Sequence, residues 1–325
     1  ELAQFCEVYI PLAPAVYTYG VPSGVSLKRG DLVWVQFATR KKPALALVSK
    51  VHNLRPDFNV RLAYPHQSGF SFNERYMENL EWVSKYYLCT PMKSLFVFWP
   101  ADFEKFLEAL AYYKSLSPDA SGDDEPIKHC QNKMLPKPDL PELTFEQRNA
   151  LDSLVKDLNG SGFRGTLLHG VTGSGKTRVY QELAYEALQQ GKKVLILVPE
   201  IGLTPQTAQR FESSLQVPVV VLHSALSAPK KRDGYVSIMK GEARVVLGTR
   251  SAILAPFDFD LVILDEEHDS SFKQQDPAPR YHARSAAIML ARQLGAKVLL
   301  GTATPSVETY HNALTGKYGL VPMLR

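Results

Sequence analysis

Residues 170–177 read Gly170-Val171-Thr172-Gly173-Ser174-Gly175-Lys176-Thr177, a loop of the form G-x-x-x-x-G-K-[ST] with every fixed position filled. Its glycines let backbone N–H groups turn inward around phosphate oxygens, and a helix starting there adds partial positive charge. Lys176 is the residue to reach the β- and γ-phosphates of a nucleoside triphosphate, and the Thr177 hydroxyl is the one to coordinate Mg²⁺. The alternative is an ordinary glycine-rich turn. The flanks argue against it. The apolar run Thr166-Leu167-Leu168 precedes the loop and an amphipathic stretch, Val179 to Leu188, follows, which is the strand–loop–helix context that phosphate binding needs.

A second cluster is Leu261-Val262-Ile263-Leu264-Asp265-Glu266-Glu267-His268, in which an apolar strand delivers carboxylates to its C-terminal end. Asp265 would hold Mg²⁺, Glu266 would orient the attacking water, and His268 would sense the γ-phosphate. An acidic helix start favoured by the helix dipole is the plain alternative. A third is Gly301-Thr302-Ala303-Thr304-Pro305-Ser306, directly after Val298-Leu299-Leu300. Its hydroxyls can bridge the acidic motif to a neighbouring element. The same residues also read as a helix start, with Thr304 as N-cap and Pro305 at the first helical position. Gln147 stays open between two roles: Thr144-Phe145-Glu146-Gln147 is a capping box, and a glutamine before the first strand can also read an adenine edge.

The elements that must position these groups alternate from Leu143 onward. Strand candidates are Thr166–Leu168, Val194–Val198, Val217–Leu222, Ala243–Gly248, Leu261–Leu264 and Lys297–Leu300, with helical patterns between most of them and Gly191 and Gly295 at C-cap positions. Near-continuous apolar strands predict a parallel sheet covered on both faces, an α/β lobe. The first fifty residues predict a small β-rich domain, with runs at Glu7–Ile10, Tyr17–Val21, Asp31–Phe37 and Ala44–Val48. One helix is predicted on Tyr76, Leu80, Val83 and Tyr87, another on Phe103, Phe106, Leu107 and Leu110. Ser117 to Glu142, rich in proline, reads as a linker. The division expected is 1–115, 116–142 and 143–325.

At 325 residues two domains are the natural expectation. Three cysteines, Cys6, Cys89 and Cys130, lie too far apart in sequence for a zinc site or a disulfide framework, and predict a reducing cytoplasm. No apolar run is long enough to cross a bilayer, so no membrane partner is expected. A net charge of +4 permits a polyanionic partner without arguing for one. The chain opens on Glu1 rather than Met, so preceding residues are expected to be missing.

The order of these motifs resembles superfamily 2 helicases, and their wording is similar to the PriA family of replication-restart helicases (primosomal protein N′). The phrases that carry the resemblance are Gly170 to Thr177, Leu197-Val-Pro-Glu-Ile-Gly-Leu-Thr-Pro-Gln206, Leu247-Gly-Thr-Arg-Ser-Ala252, Asp265 to His268 and Gly301 to Ser306. Between the last two, Ser271 to Asp276 and Arg280 to Arg284 resemble the family's aromatic-rich loop. The resemblance implies a RecA-like ATPase lobe using ATP and Mg²⁺. It implies 3′-to-5′ movement on single-stranded DNA at stalled or branched forks, with single-stranded DNA-binding protein and other primosome proteins as partners. Thr204, Thr249 and Arg250 follow strands and can meet a phosphodiester backbone. Phe272, Lys273, Tyr281 and Arg284 combine rings with cations, the chemistry of single-strand binding, unless the rings are tucked inward. Such a loop, starting beside the acidic box, would couple DNA contact to hydrolysis.

Val8 to Leu12, Tyr17 to Pro22, Lys28 to Val33 and Val35 to Phe37 resemble the family's module for the DNA 3′ end. Tyr17, Thr18 and Ala38 stand at its binding positions, with Thr18 in place of an aspartate and Ala38 in place of a glycine. The resemblance also implies a winged helix, for which 116–142 is too short, and a second ATPase lobe and a zinc-binding insertion for which this chain has no ligands. The chain is therefore expected to bind ATP weakly, to hydrolyse it barely and not to unwind DNA by itself. Two other readings stay open: another superfamily 2 DNA translocase, and a non-catalytic DNA-end-binding module whose ATP site only switches conformation.

Overall fold

The β-branched runs near the start of the chain pair as an antiparallel sheet in the computed structural model, which describes residues 4–11, 13–98, 103, 105–108, 141–276 and 278–323. By its internal contacts the chain divides into two units, Glu1–Asp123 with Gln275–Arg280, and Asp124–Gln274 with Tyr281–Arg325. The first unit holds β1 (Phe5–Tyr9), β2 (Val16–Gly20), β3 (Leu32–Val35), β4 (Ala44–His52) and β5 (Ala63–Pro65), in the order β2-β1-β4-β3-β5. A register shift at Glu7/Val8 bends β1, and the bridge Gly20↔Leu62 brings the two edges together, so the sheet curls into a small barrel. Alternation turns Cys6, Val8, Val33, Ala46 and Val48 into its interior. Helix α1 (Glu74–Tyr86) starts at Asn73, whose side chain accepts from the Tyr76 amide, and carries the predicted Leu80 and Val83 inward. Helix α2 (Pro91–Phe98) and β5 were not foreseen. Residues 103 and 105–108 are helical, with Phe103, Phe106 and Leu107 buried. Leu110 and nearly all of the linker Ser117 to Glu142 lie outside the described residues.

The second unit alternates as the sequence predicts. Its elements are α3 (Phe145–Asn159), β6 (Arg164–Gly170), α4 (Lys176–Gln189), β7 (Val194–Leu197), α5 (Pro205–Leu215), β8 (Val219–Leu222), α6 (Ala228–Met239), β9 (Val245–Gly248), β10 (Leu261–Asp265), α7 (Ala283–Leu294), β11 (Lys297–Thr302), α8 (Val307–Leu314) and β12 (Gly319–Met323). All seven strands are parallel, in the order β12-β6-β11-β10-β7-β9-β8. The fully buried runs β7 and β9 explain why the sequence shows no polar face there. Strand β12 was missed: it is an edge strand, half exposed and carrying Pro322. Helix α8 begins two residues later than expected, at Val307. Its N-cap is Ser306, which accepts from the Thr309 amide, so Thr304 and Pro305 stay in the preceding turn. No helix among the described residues is long and apolar enough to cross a membrane.

Strand order settles where the chemistry meets. Because β11 lies between β6 and β10, the phosphate loop, the acidic box and the Gly301–Ser306 turn leave the C-terminal ends of three adjacent strands.

Candidate active site

The phosphate loop leaves β6 and becomes α4 at Gly175, whose φ of 83° lies in the left-handed region. A side chain at Gly175 would also overlap the Gln147 amide. Gln147 completes the capping box: its Oε1 accepts from the Thr144 amide at 3.1 Å, and the Thr144 hydroxyl accepts from the Gln147 amide at 3.3 Å. Its Nε2 donates to the Ser174 carbonyl at 3.2 Å. Gln147 thus forms the capping box and ties α3 to the phosphate loop.

Lys176 is buried. Its Nζ donates to the carbonyls of Gly170 at 2.9 Å and Val171 at 3.4 Å, and lies 3.5 Å from Glu266 Oε1. The amides of Gly173, Gly175, Lys176 and Thr177 have no acceptor among the described residues, and the side chains of Val171, Thr172 and Thr177 are exposed. The buried Ser174 hydroxyl is also unpaired. Inward amides, one cation and an exposed hydroxyl fit a polyphosphate and its metal.

The acidic box sends its side chains to different partners. Asp265 ends β10 and accepts from the Tyr180 hydroxyl at 3.0 Å. Burial, more than its neighbours, raises its pKa above the usual carboxylate value, and raises that of the fully buried Tyr180 phenol, which therefore stays protonated as a donor. Glu266 sits at a φ of 46°, and its Oε2 accepts from the Thr302 hydroxyl at 3.2 Å and the Ala303 amide at 3.4 Å. His268 Nδ1 lies 2.7 Å from Thr302 Oγ1, and Nε2 lies 3.3 Å from Thr304 Oγ1. A hydroxyl has one proton to give. With that of Thr302 given to Glu266, His268 Nδ1 is the donor to Thr302. The bridge from the acidic motif to the Gly301–Ser306 turn is formed as the sequence suggests. Glu267, given no role above, is fully buried. It accepts from the Ser306 amide at 2.7 Å, the Ser306 hydroxyl at 3.2 Å, the Thr309 hydroxyl at 3.0 Å and Arg284 Nη1 at 2.6 Å.

The residues expected to touch DNA scatter more. Thr204 is the N-cap of α5, accepting from the Thr207 amide. Thr249 is buried, and its hydroxyl has no hydrogen-bond partner among the described residues. Arg250 donates to Glu200 Oε1 at 2.5 Å and to the Ser271 carbonyl at 3.2 Å, which ties together the turns after β7, β9 and β10. The stacking expected of Phe272 and Tyr281 needs correction: both rings are fully buried, so neither presents a face to a base. Arg284 is likewise turned inward onto Glu267 rather than outward to phosphate. Lys273 bridges through its backbone to His282, and Gln274 donates to the Tyr281 carbonyl at 2.9 Å, which narrows this loop to a short ladder. In the barrel, Tyr17 packs edge-on against Phe37 with centroids 4.9 Å apart, next to Ala38. Thr18 points to the opposite face of β2, opposite Glu7 in the pairing. Ala38 holds a φ of 49°, the physical reason a glycine would suit that position.

Sequence reasoning missed Tyr180 and Glu267. Glu267 had a signal, as a third acid in a row beside a strand end; Tyr180 looked like any core aromatic on an amphipathic helix. Among the described residues no group of three or more His, Cys, Asp or Glu side chains could hold a metal ion by itself.

Two family models match the chain: "Type III restriction enzyme, res subunit" over residues 141–307, and "3′DNA-binding domain" over residues 7–100. The chain is similar to the replication restart protein PriA of Haemophilus influenzae, 34% identical over 376 aligned positions covering 95% of this chain and 50% of that one. Against the PriA protein of Rickettsia conorii it is 31% identical over 99% of this chain and 46% of the relative. Against that of Bacillus subtilis it is 44% identical over 194 positions, 59% of this chain and 24% of the relative. The chain spans about half the length of the first of these relatives and less of the others.

Proposed function

Because the chain belongs to the family of the replication restart protein PriA, we propose that it supplies the DNA-end-binding unit and the first motor lobe of an ATP-dependent helicase. In the whole protein this motor would move 3′-to-5′ on single-stranded DNA at stalled or branched forks and start primosome assembly. Single-stranded DNA-binding protein and the other primosome proteins would be its partners. Residues 1–115 would receive the DNA 3′ end, 116–142 would link, and 143–325 would bind ATP. A cytoplasmic setting follows from that task.

One observation carries the reading: Lys176 Nζ lies 3.5 Å from Glu266 Oε1, so the phosphate loop and the acidic box share one site. The loop amides and Lys176 take the phosphates of ATP. Thr177 and Asp265 would hold Mg²⁺, which when bound neutralises charge on the β- and γ-phosphate oxygens. Glu266, fixed by Thr302 and Ala303, is the carboxylate that orients the attacking water. His268, held by Thr302 and Thr304, links that carboxylate to the next strand and would report the γ-phosphate.

The test is titration of a fluorescent ATP analogue, with hydrolysis followed separately. Lys176→Ala is expected to weaken binding at least about tenfold, because it removes the cation from the loop. Glu266→Gln is expected to keep binding and lose hydrolysis. Unchanged nucleotide affinity in the Lys176→Ala chain would end the reading. Anisotropy with fork oligonucleotides, with and without a free 3′-OH end, tests the barrel.

A further inference from the structure

We propose that Tyr180 is a positioning residue for the metal-bound nucleotide. From within the lobe its hydroxyl fixes the orientation of the Asp265 carboxylate, and Gly301 is the gap that lets it reach. The proposal rests on the nucleotide site described above and assigns a role that the motifs do not reveal.

Tyr180 lies on α4, one turn beyond Lys176, with its side chain 1% exposed. Its hydroxyl donates to Asp265 Oδ1 at 3.0 Å, and that carboxylate is its hydrogen-bond partner among the described residues. Asp265 and Gly301 are register partners at the ends of β10 and β11, and Gly301 pairs in turn with Leu168 of β6. On this rung the phenol occupies the space of a missing side chain. A Cβ at Gly301 would overlap the Tyr180 hydroxyl oxygen and the ring carbon that bears it. Gly301 needs no left-handed backbone, as it is absent from the positive-φ glycines, so this steric gap is its distinguishing feature.

A tyrosine that only filled the core would leave a hydroxyl to be satisfied, and phenylalanine would fill the same volume without that cost. Here the hydroxyl is spent on the one acidic side chain at this strand end placed to hold Mg²⁺. That bond limits rotation of the group. Partners behind a metal ligand orient it, and losing one typically weakens metal affinity by about 10–100-fold.

The experiment uses the full chain and a fluorescent ADP analogue, titrated first in EDTA and then against MgCl₂ at fixed nucleotide. Tyr180→Phe keeps the ring and removes the hydroxyl. It is expected to bind metal-free nucleotide within about twofold of the parent, while the Mg²⁺ concentration for half-maximal tightening rises about tenfold. Gly301→Ala keeps the hydroxyl but displaces it, and is expected to move the Mg²⁺ midpoint the same way. Should either variant fail to fold, the other carries the test. An unchanged Mg²⁺ midpoint in a folded variant overturns the proposal, as does an equal loss of metal-free binding, which would mark the hydroxyl as structural only. A parent chain that binds nucleotide with no response to Mg²⁺ would overturn the site reading itself, which separates the two failures.

Discussion

Replacing Arg284 by methionine separates two uses of its guanidinium, one holding the lobe together and one gripping DNA. Glu267 is fully buried and its Arg284 partner is 15% exposed, at 2.6 Å. Of the four donors on Glu267, only Arg284 brings positive charge. Removing one partner of a buried ion pair costs about 3–5 kcal/mol, because the other charge is left uncompensated. Three remaining donors and some water access at Arg284 put the expected loss at or just below the lower end, about 2–3 kcal/mol. In a domain of about 150–250 residues each kcal/mol moves Tm by about 2–4 °C, so a drop of about 5–10 °C is expected. Thermal melts and urea titrations give that number, and anisotropy with a single-stranded oligonucleotide gives the DNA affinity. Adding Glu267→Gln to Arg284→Met should recover part of the loss, since the unpaired charge is then gone. A variant that melts within about 1 °C of the parent yet binds DNA markedly more weakly would show that the ion pair is secondary. The guanidinium would then be a phosphate contact after all.

Phe272→Ala should cost about 3–5 kcal/mol, because the ring is fully buried; urea unfolding at constant m-value measures it, and normal stability with lost DNA binding would restore the stacking role. Burial, helped by Arg284 and Lys273, holds the His282 imidazole at about 4 against an ordinary 6.5. Between those values the unfolded chain takes a proton that the folded chain refuses, so stability should fall as pH drops from 6.5 toward 4, by at most about 3 kcal/mol. His282→Gln should flatten that slope, and an unaltered pH profile would rule out this histidine as its source. Ala38→Gly should stabilise the barrel by about 0.5–1 kcal/mol, since the native φ of 49° is strained for alanine; a lower Tm would show that the strain is absorbed elsewhere.

Much of the second unit was legible because its strands announce themselves. Val194 to Leu197 and Leu261 to Leu264 are apolar at every position, as a strand buried on both faces must be. The loop glycines and the acid run are likewise local signals, and strand order did the rest by bringing them to one edge of the sheet. What stayed hidden depends on long-range packing. Phe272, Tyr281 and Arg284 have the composition of a DNA-binding loop, and composition does not say which way a side chain faces. The choice between a ring exposed to bases and a ring tucked inward rests on contacts that no short window contains. Tyr180 and Gly301 make sense only as a pair, 121 positions apart in sequence (301 − 180) and touching in space. Strand β12 was missed because an edge strand with a proline lacks both alternation and a continuous apolar run.

The acidic box shows how four consecutive residues can serve three directions. A regular strand alternates its side chains between two faces, so Asp265, Glu266, Glu267 and His268 could not reach all three along one. Glu266 breaks the alternation by adopting a φ of 46°, a conformation that costs a non-glycine residue about 1–2 kcal/mol. Two backbone bonds hold it there, Glu267 N–H to the Gly301 carbonyl at 3.1 Å and Asp269 N–H to the Glu266 carbonyl at 2.8 Å. Past that bend Glu267 turns into the core toward Arg284, while Glu266 and His268 share Thr302 at the sheet edge. The buried Glu267 cluster anchors the bend from one side and Tyr180 anchors Asp265 from the other. The strained residue between them is the carboxylate that faces Lys176. Relaxing Glu266 to an extended conformation would swing its carboxylate away from the phosphate loop, so the left-handed turn is what keeps the acid at the site.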